Sequence, residues 1–78
     1  MGIDRDKIDE VTLALLQLVK WEHKKLGIMF FKGFDWETLA RLYKKGYIEN
    51  PKNTYKCIKF TDEGLELSKE LFKEFFEN

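Results

Sequence analysis

The stretch DWETLARLYKKGYIENPKNTYKCIKFTDEGL, from Asp35 to Leu65, determines the fold that this sequence predicts. It opens with Asp35, a residue type favoured at helix N-caps, and the helical pattern that follows stops at Gly46, where a glycine commonly ends a helix. Later, Thr61 precedes two acidic residues, which favour the first turn of another helix. The stretch therefore predicts one helix from Trp36 to Lys45 and another that begins after Thr61.

The connection between these helices has the composition of a β-hairpin. Residues 50–54 contain a proline and two asparagines, which favour a turn, and residues 47–49 and 55–60 are expected to form strands on either side of it. Strand alternation puts Ile58 and Phe60 on one face. Because an isolated hairpin is only marginally stable, that face is expected to pack on the helices.

Before this stretch, apolar residues repeat with helical spacing from Asp6 or Asp9 up to Gly27. They cover more than half of the circumference, so this first helix is expected to be covered on more than one side, with Leu13 on its narrow polar side. Residues 28–34 fit either a short buried strand or a buried loop. The second helix is expected to turn five residues inward: Trp36, Leu39, Ala40, Leu42 and Tyr43.

Size and composition limit the possible functions. The 78 residues are expected to form a single domain, residues 1–78, and 44% of them are apolar and 15% aromatic. Ordering such a chain costs roughly 1.5 kcal/mol per residue, so most of this apolar surface is needed for the core. A deep catalytic cavity is therefore not expected.

Compartment and membrane association follow from the cysteine count and from the apolar runs. Cys57 is the only cysteine, so no intramolecular disulfide is possible. The first six residues contain no apolar signal core. The longest helical uncharged run, 11–19, is shorter than the roughly 20 residues that span a bilayer. We therefore expect a cytoplasmic protein that does not interact with membranes.

Catalytic and metal-binding patterns are not found in the sequence. His23 is the only histidine and is expected near the end of the first helix, where the helix dipole stabilises it. Cys57 has no histidine base near it in sequence, and no usual ligand spacing for zinc is present. We therefore expect no catalytic residues, no metal, no cofactor and no enzymatic activity.

Charge is distributed unevenly along the chain. The whole chain is neutral, but residues 20–59 contain ten basic and four acidic residues, a net charge of +6. Two interpretations remain open: a patch that binds nucleic acid, or an ordinary solvated surface. The candidate nucleic-acid contacts are Arg41, Lys44 and Lys45 in the second helix, and Lys52 and Lys56 in the hairpin.

The apolar residues exceed what so small a core is expected to hold. Two interpretations remain open here as well: a tightly filled monomer core, or an interface with a protein partner or a second copy of the chain. The candidate interface residues are Leu13, Phe30, Phe31, Phe72, Phe75 and Phe76.

Two resemblances add to these inferences. The segments LARLYKKGYI (39–48) and FTDEG (60–64), with a lysine-bearing hairpin between them, resemble the winged helix of bacterial regulators of the multiple-antibiotic-resistance class. This resemblance covers about half of the chain and implies DNA binding. Residues 28–34, however, leave no room for the middle helix that this class places before its recognition helix.

The second resemblance spans the whole chain. The segments DKIDE (6–10), TLALL (12–16), KGFDW (32–36), GYI (46–48) and EGL (63–65) are similar to a small bacterial family of unknown function, which implies no particular activity. We therefore predict a winged-helix-like α+β domain with three helices and a small antiparallel β-hairpin between the second and the third. Its predicted function is protein interaction or homodimerisation, with DNA binding as the alternative.

Overall fold

The computed structural model describes residues 2–53 and 55–77. Its elements follow the order α1 (Arg5–Val19), β1 (Trp21–His23), β2 (Gly27–Phe31), α2 (Trp36–Lys44), β3 (Cys57–Lys59) and α3 (Asp62–Phe76). The strands form one antiparallel sheet in the order β1-β2-β3. The α+β class and the three helices predicted from the sequence are confirmed. Thr54, assigned to the predicted turn, lies outside the described residues.

The first helix is shorter than predicted and begins earlier. Its N-cap is Asp4, whose carboxylate accepts a hydrogen bond from the backbone N–H of Lys7, so the predictions of Asp6 and Asp9 as caps are wrong. The helix ends at Val19 because Lys20 is extended and Trp21 enters the sheet opposite Met29. Pairing with β2 outweighs the helical pattern, which continues past the end of the helix.

The sheet differs from the predicted hairpin. Of residues 28–34, Ile28 to Phe31 belong to strand β2, which pairs with β1 on one side and with β3 on the other. The predicted pairing of 47–49 with 55–60 is reduced to a single bridge between Ile48 and Phe60. Pairing of β3 with β2 brings Phe30 opposite Ile58, and both side chains are fully buried. Burial of this cross-strand pair explains why β3 pairs with β2.

Local signals for the other helix ends are confirmed. Asp35 caps α2 and accepts a hydrogen bond from the backbone N–H of Thr38. Gly46 follows α2 with φ +85°, a left-handed conformation that glycine adopts without strain. Thr61 caps α3 and accepts from the N–H of Gly64.

Between α1, α3 and the inner face of the sheet lies the core. Ser68 of α3 donates to the carbonyl of Leu13 at 2.6 Å and accepts from Gln17 at 2.7 Å, so polar contacts as well as apolar ones join the two helices. The prediction that Leu13 lies on the polar side of α1 is wrong, because this leucine is 1% exposed and packs in the core. The buried apolar residues of this core cluster are Leu13, Ala14, Leu16, Phe30, Leu39, Leu42, Ile48, Ile58, Phe60 and Leu71, and Met29 is buried as well.

The chain crosses the first turn of α3 at very close range. The Thr61 hydroxyl donates to the carbonyl of Gly46 at 2.6 Å, and its backbone N–H donates to the carbonyl of Tyr47 at 3.2 Å. A Cβ atom at Gly64 would overlap that Tyr47 carbonyl. Gly64 is therefore required for the backbone to pass, although glycine is a poor helix former.

We predict that Gly64→Ala destabilises the protein by about 3 kcal/mol, because the crossing backbone has to move away. Urea unfolding followed by circular dichroism measures this. The matched control is Gly33→Ala, since no atom lies within 4 Å of a Cβ at that position. Equal stability of the two variants would contradict the prediction.

Candidate functional site

A buried carboxylate joins α1 to α2. Asp9 is 1% exposed, and it accepts hydrogen bonds from Nε of Arg41 at 2.9 Å and from Nζ of Lys45 at 2.9 Å. Nη2 of Arg41 also lies 2.9 Å from the same carboxylate, so the guanidinium contacts it through two nitrogens. Lys45 reaches the exposed Asp6 as well, at 3.0 Å. Because a buried charge is unfavourable unless it is paired, these two cations allow Asp9 to lie in the interior.

Hydrogen bonds extend this cluster to the N-terminus of α2. Nη2 of Arg41 donates to the hydroxyl of Thr38 at 3.1 Å, and that hydroxyl donates to the carboxylate of Asp35 at 2.9 Å. The Thr38 hydroxyl and backbone N–H, assisted by the Arg41 charge, hold the pKa of Asp35 below its usual value. The hydrogen bond to Asp9 raises the pKa of Lys45. These two pKa shifts favour the ionised form of Asp35 and the protonated form of Lys45.

The structure divides the five candidate nucleic-acid contacts between a buried carboxylate, a groove beside α2 and the sheet. Arg41 and Lys45 were expected to point outward, but both bind Asp9. Lys44 and Lys52 are exposed and line one groove, and Arg41 contributes to its wall. Lys56 is exposed at the start of β3, where its carbonyl accepts from the N–H of Lys32. The prediction missed the role of Asp9, although its helical spacing from Leu13 and Leu16 is the signal that places it on the buried side.

The groove lies between α2 and the segment that follows it. It has a volume of about 440 Å³ and is lined by an aromatic stripe, Trp36 and Tyr43, together with Pro51. Trp36 is 48% exposed and Tyr43 is 45% exposed. Both were predicted to face inward, as was Ala40, which is also exposed. Of the five residues predicted to face inward, Leu39 and Leu42 do so, and α2 therefore has an apolar side that the protein itself does not cover.

The outer face of α1, defined here as Ile8, Val11, Leu15, Leu18 and Val19, is apolar along the whole helix. Leu18 is 68% exposed, and Ile8, Leu15 and Val19 are each more than a third exposed. Helical spacing puts these residues opposite Asp9 and Leu13, which face the core. The sequence predicted that apolar residues cover more than half of the circumference of α1. In the structure, one apolar side of α1 is buried and another is exposed.

The predicted interface residues separate into buried and accessible ones. Leu13 and Phe30 are buried in the core and are out of reach of any partner unless the protein opens. Phe31 is 59% exposed on the sheet, and Phe76 is 48% exposed at the end of α3. Phe72 and Phe75 are half-buried beside Phe76, with ring centroids 5.4 Å and 6.1 Å from that of Phe76.

His23 lies in β1, and the prediction that it ends a helix is wrong. Its Nδ1 accepts hydrogen bonds from the backbone N–H groups of Lys25 and Leu26 at 3.1 Å and 3.2 Å, so it shapes the turn before β2. Cys57 is half-buried in β3.

Within residues 2–53 and 55–77, no three His, Cys, Asp or Glu side chains come together as metal ligands. Over the same residues, none of the helices has the length and apolar character needed to span a membrane.

Three helices and a three-stranded antiparallel sheet, with the exposed apolar surfaces described above, define a small α+β domain. The chain belongs to the family described as Domain of unknown function (DUF6429), which it matches over residues 4–78. It is 46% identical over 76 residues to Uncharacterized protein y4hR of Sinorhizobium fredii, with 97% of each chain covered. No solved structure matches it. Membership of a small family of unknown function, predicted from the sequence, is confirmed.

We predict that Asp9→Asn destabilises the protein by about 2 kcal/mol, because Arg41 and Lys45 lose their buried counterion. The side chains of these cations are 25% and 35% exposed, which keeps the loss below that of a fully buried pair. Urea unfolding at neutral pH measures the change. Asp6→Asn is the control: Asp6 contacts the same lysine but its side chain is 85% exposed, so a change below about 0.5 kcal/mol is expected. Equal effects of the two substitutions would contradict the role of Asp9.

A second prediction concerns alkaline pH. Because the folded state raises the pKa of Lys45, its stabilising contribution is complete below the ordinary value of 10.5 and is lost as the pH rises through the higher folded value. Between about pH 9.5 and 11.5, the wild type should therefore lose more stability than Lys45→Met. Lys44→Met, at the adjacent exposed position, should follow the wild type. Parallel stability curves for the wild type and Lys45→Met would exclude this contribution.

Proposed function

We propose that this chain is a non-enzymatic dimerisation module, in which two copies pack the outer faces of their α1 helices against each other. The observation that carries the proposal is the exposed apolar stripe along α1, in which Leu18 is 68% exposed. A helix that is apolar on two sides is covered on both in a stable assembly. The protein itself covers only the side that contains Leu13 and Leu16.

The spacing of the stripe suits a second copy of the same helix. With a two-fold axis near the middle of α1, antiparallel packing places Ile8 of one copy opposite Leu18 of the other. It likewise places Val11 opposite Leu15. Such an interface is isologous, the commonest kind in soluble homodimers, and it aligns the two helix dipoles favourably.

The accessible area supports an assembly as well. The chain exposes 5686 Å², whereas the size scaling for monomers gives about 5,000 Å² at 9.4 kDa. The difference of roughly 700 Å² is close to the area, about 800 Å², that each partner buries in a standard interface.

The affinity of such a dimer can be estimated from the free energy of apolar burial and the free-energy cost of association. Burying the exposed half of an aliphatic side chain stabilises by about 1 kcal/mol, so the ten side chains of two stripes contribute roughly 10 kcal/mol before losses. Association opposes this by about 4–15 kcal/mol. At most about 6 kcal/mol is left, so a dissociation constant of roughly tens of micromolar or weaker is expected.

We predict that Leu18→Asp makes the protein monomeric at concentrations where the wild type is dimeric, because the substitution places a charge in the desolvated helix pair, opposite Ile8 of the other copy. Sedimentation velocity between about 1 and 500 μM, a range that brackets a constant of tens of micromolar, measures the assembly mass. Circular dichroism should show the same fold for both proteins, since Leu18 is largely exposed in the monomer.

Leu26→Asp is the matched control, because Leu26 is 47% exposed in the β1–β2 turn, outside α1. It should keep the mass of the wild type. A wild type that stays monomeric across the whole range would overturn the proposal. A dimer that Leu18→Asp leaves intact would show that another surface is responsible.

Duplex DNA binding through α2 is the alternative function. Its set of free cations is smaller than the sequence suggested, because Arg41 and Lys45 bind Asp9. Lys44 and Lys52, which line the α2 groove, are the contacts that best support it. Dimerisation rests on a larger and more continuous surface, and we favour it for that reason.

A further inference from the structure

The outer face of the sheet is a surface that the dimerisation proposal does not use. Strand alternation turns Phe30 and Ile58 into the core, both 0% exposed, and therefore turns their neighbours outward. The register places Trp21, Met29 and Lys59 side by side across the three strands. Phe31 lies opposite Cys57 in the next outward row. We call this surface the sheet platform, and the residues on that side of the sheet are Trp21, His23, Met29, Phe31, Cys57 and Lys59. Met29 is buried among them, at 7% exposure.

Aromatic rings dominate the platform. Trp21 and Phe31 have ring centroids 6.0 Å apart and planes inclined by 29°, so they form a stacked pair. His23 lies 5.8 Å from Trp21 on the other side. Phe31 is 59% exposed, whereas the other residues of β2 are buried or half-buried. Tyr55, which is 69% exposed, precedes β3. Trp21 and His23 are half-buried, so Phe31 and Tyr55 offer the exposed rings, which are suited to stacking on other flat groups.

The segments that carry these rings are rich in positive charge. The segments that carry the sheet, 20–32 and 55–59, contain six lysines and one glutamate, a net charge of +5 in a chain that is neutral overall. None of these lysines belongs to an ion pair within residues 2–53 and 55–77. The basic residues that form ion pairs there are Arg41 and Lys45. Lys59 lies within the platform, and its side chain runs along Gly27. The charge is therefore available to an anionic ligand.

We propose that the sheet platform binds single-stranded nucleic acid, with bases stacked on Phe31 and Trp21 and phosphates paired with Lys59 and the surrounding lysines. Free rings combined with unpaired lysines match a ligand that alternates flat bases with anionic phosphates. A duplex keeps its bases stacked inside and offers nothing for Phe31 to contact. An acidic peptide matches the lysines but leaves the rings without a function. Platforms with two or three exposed aromatic residues hold about two or three bases.

Fluorescence anisotropy with 12-nucleotide mixed-sequence probes tests the proposal on the full chain. The probes are single-stranded RNA, single-stranded DNA of the same sequence, and the matching duplex DNA. Two or three neutralised phosphates should give a salt slope of about −1.5 to −2, or roughly a tenfold loss of affinity between 50 and 200 mM salt. Binding to the single strands should exceed binding to the duplex. A difference between RNA and DNA would identify a contact to the 2′-hydroxyl.

Phe31→Ala should weaken single-strand binding by about 5- to 150-fold, the range that base–aromatic stacking produces. Phe76→Ala is the matched control, because Phe76 is similarly exposed but lies on α3, and it should bind as the wild type does. Lys59→Ala should lower the salt slope by about 0.7. Circular dichroism of each variant verifies the fold, and Phe31 is exposed enough that its removal should leave the fold intact.

Three results would overturn the proposal. One is the absence of single-strand binding at 50 mM salt. Another is preferential duplex binding that Lys44→Ala weakens and Phe31→Ala does not, which would favour the α2 surface. The third is equal binding of an octaglutamate peptide, unaffected by Phe31→Ala, which would identify an acidic protein segment as the partner. The Leu18→Asp protein, assayed in parallel, separates failure of this proposal from failure of dimerisation.

Discussion

The contact of Asp9 with Arg41 and Lys45 determines how the two halves of this protein fit together. Asp9 is the one carboxylate among the described residues that is fully buried, and its partners are Arg41 in α2 and Lys45 at the C-cap of that helix. These contacts join α1 to α2, and through Thr38 they reach the cap at Asp35. With Asp9 on the inner side of α1 and Arg41 beside it, one side of each helix faces the core and the other side is left to solvent.

Short-range features of this fold were predictable from the sequence, and long-range pairing was not. Asp35, Gly46 and Thr61 act at helix ends through contacts within a few residues, so their roles follow from residue type. The end of α1 has no such signal. Its helical pattern continues through Trp21, and only pairing with Met29, eight residues later, converts that segment into a strand. The partner of β3 was equally hidden, because both 47–49 and β2 offer apolar residues to it.

The candidate sites show the same division. Exposed apolar surplus was predictable from composition, but its location was not, since Leu13 and Phe30 turned out to be core residues whereas Leu18 is exposed. A helix with apolar residues around most of its circumference gives no indication of which side meets the sheet. Asp9 was the informative residue. An acidic residue at helical spacing from Leu13 and Leu16 lies on the buried side of α1, where it requires a positively charged partner. Charge clustering likewise identified a basic middle segment, and the structure divides it between the ion pair with Asp9, the α2 groove and the sheet.

Contact between α1 and α3 has a consequence for synthesis of the chain. The first helix packs on the last one, with Leu13 and Gln17 joined to Ser68, so this contact cannot form until α3 has been made. Until then the inner side of α1 has only α2 and the sheet to pack against, and a nascent chain with such apolar surface open is prone to aggregation and attractive to chaperones. Closing so long a loop is also expected to make folding slower than in helical bundles of this size. The same contact should make a protein shortened at its C-terminus unable to fold, even where the missing residues belong to no binding surface.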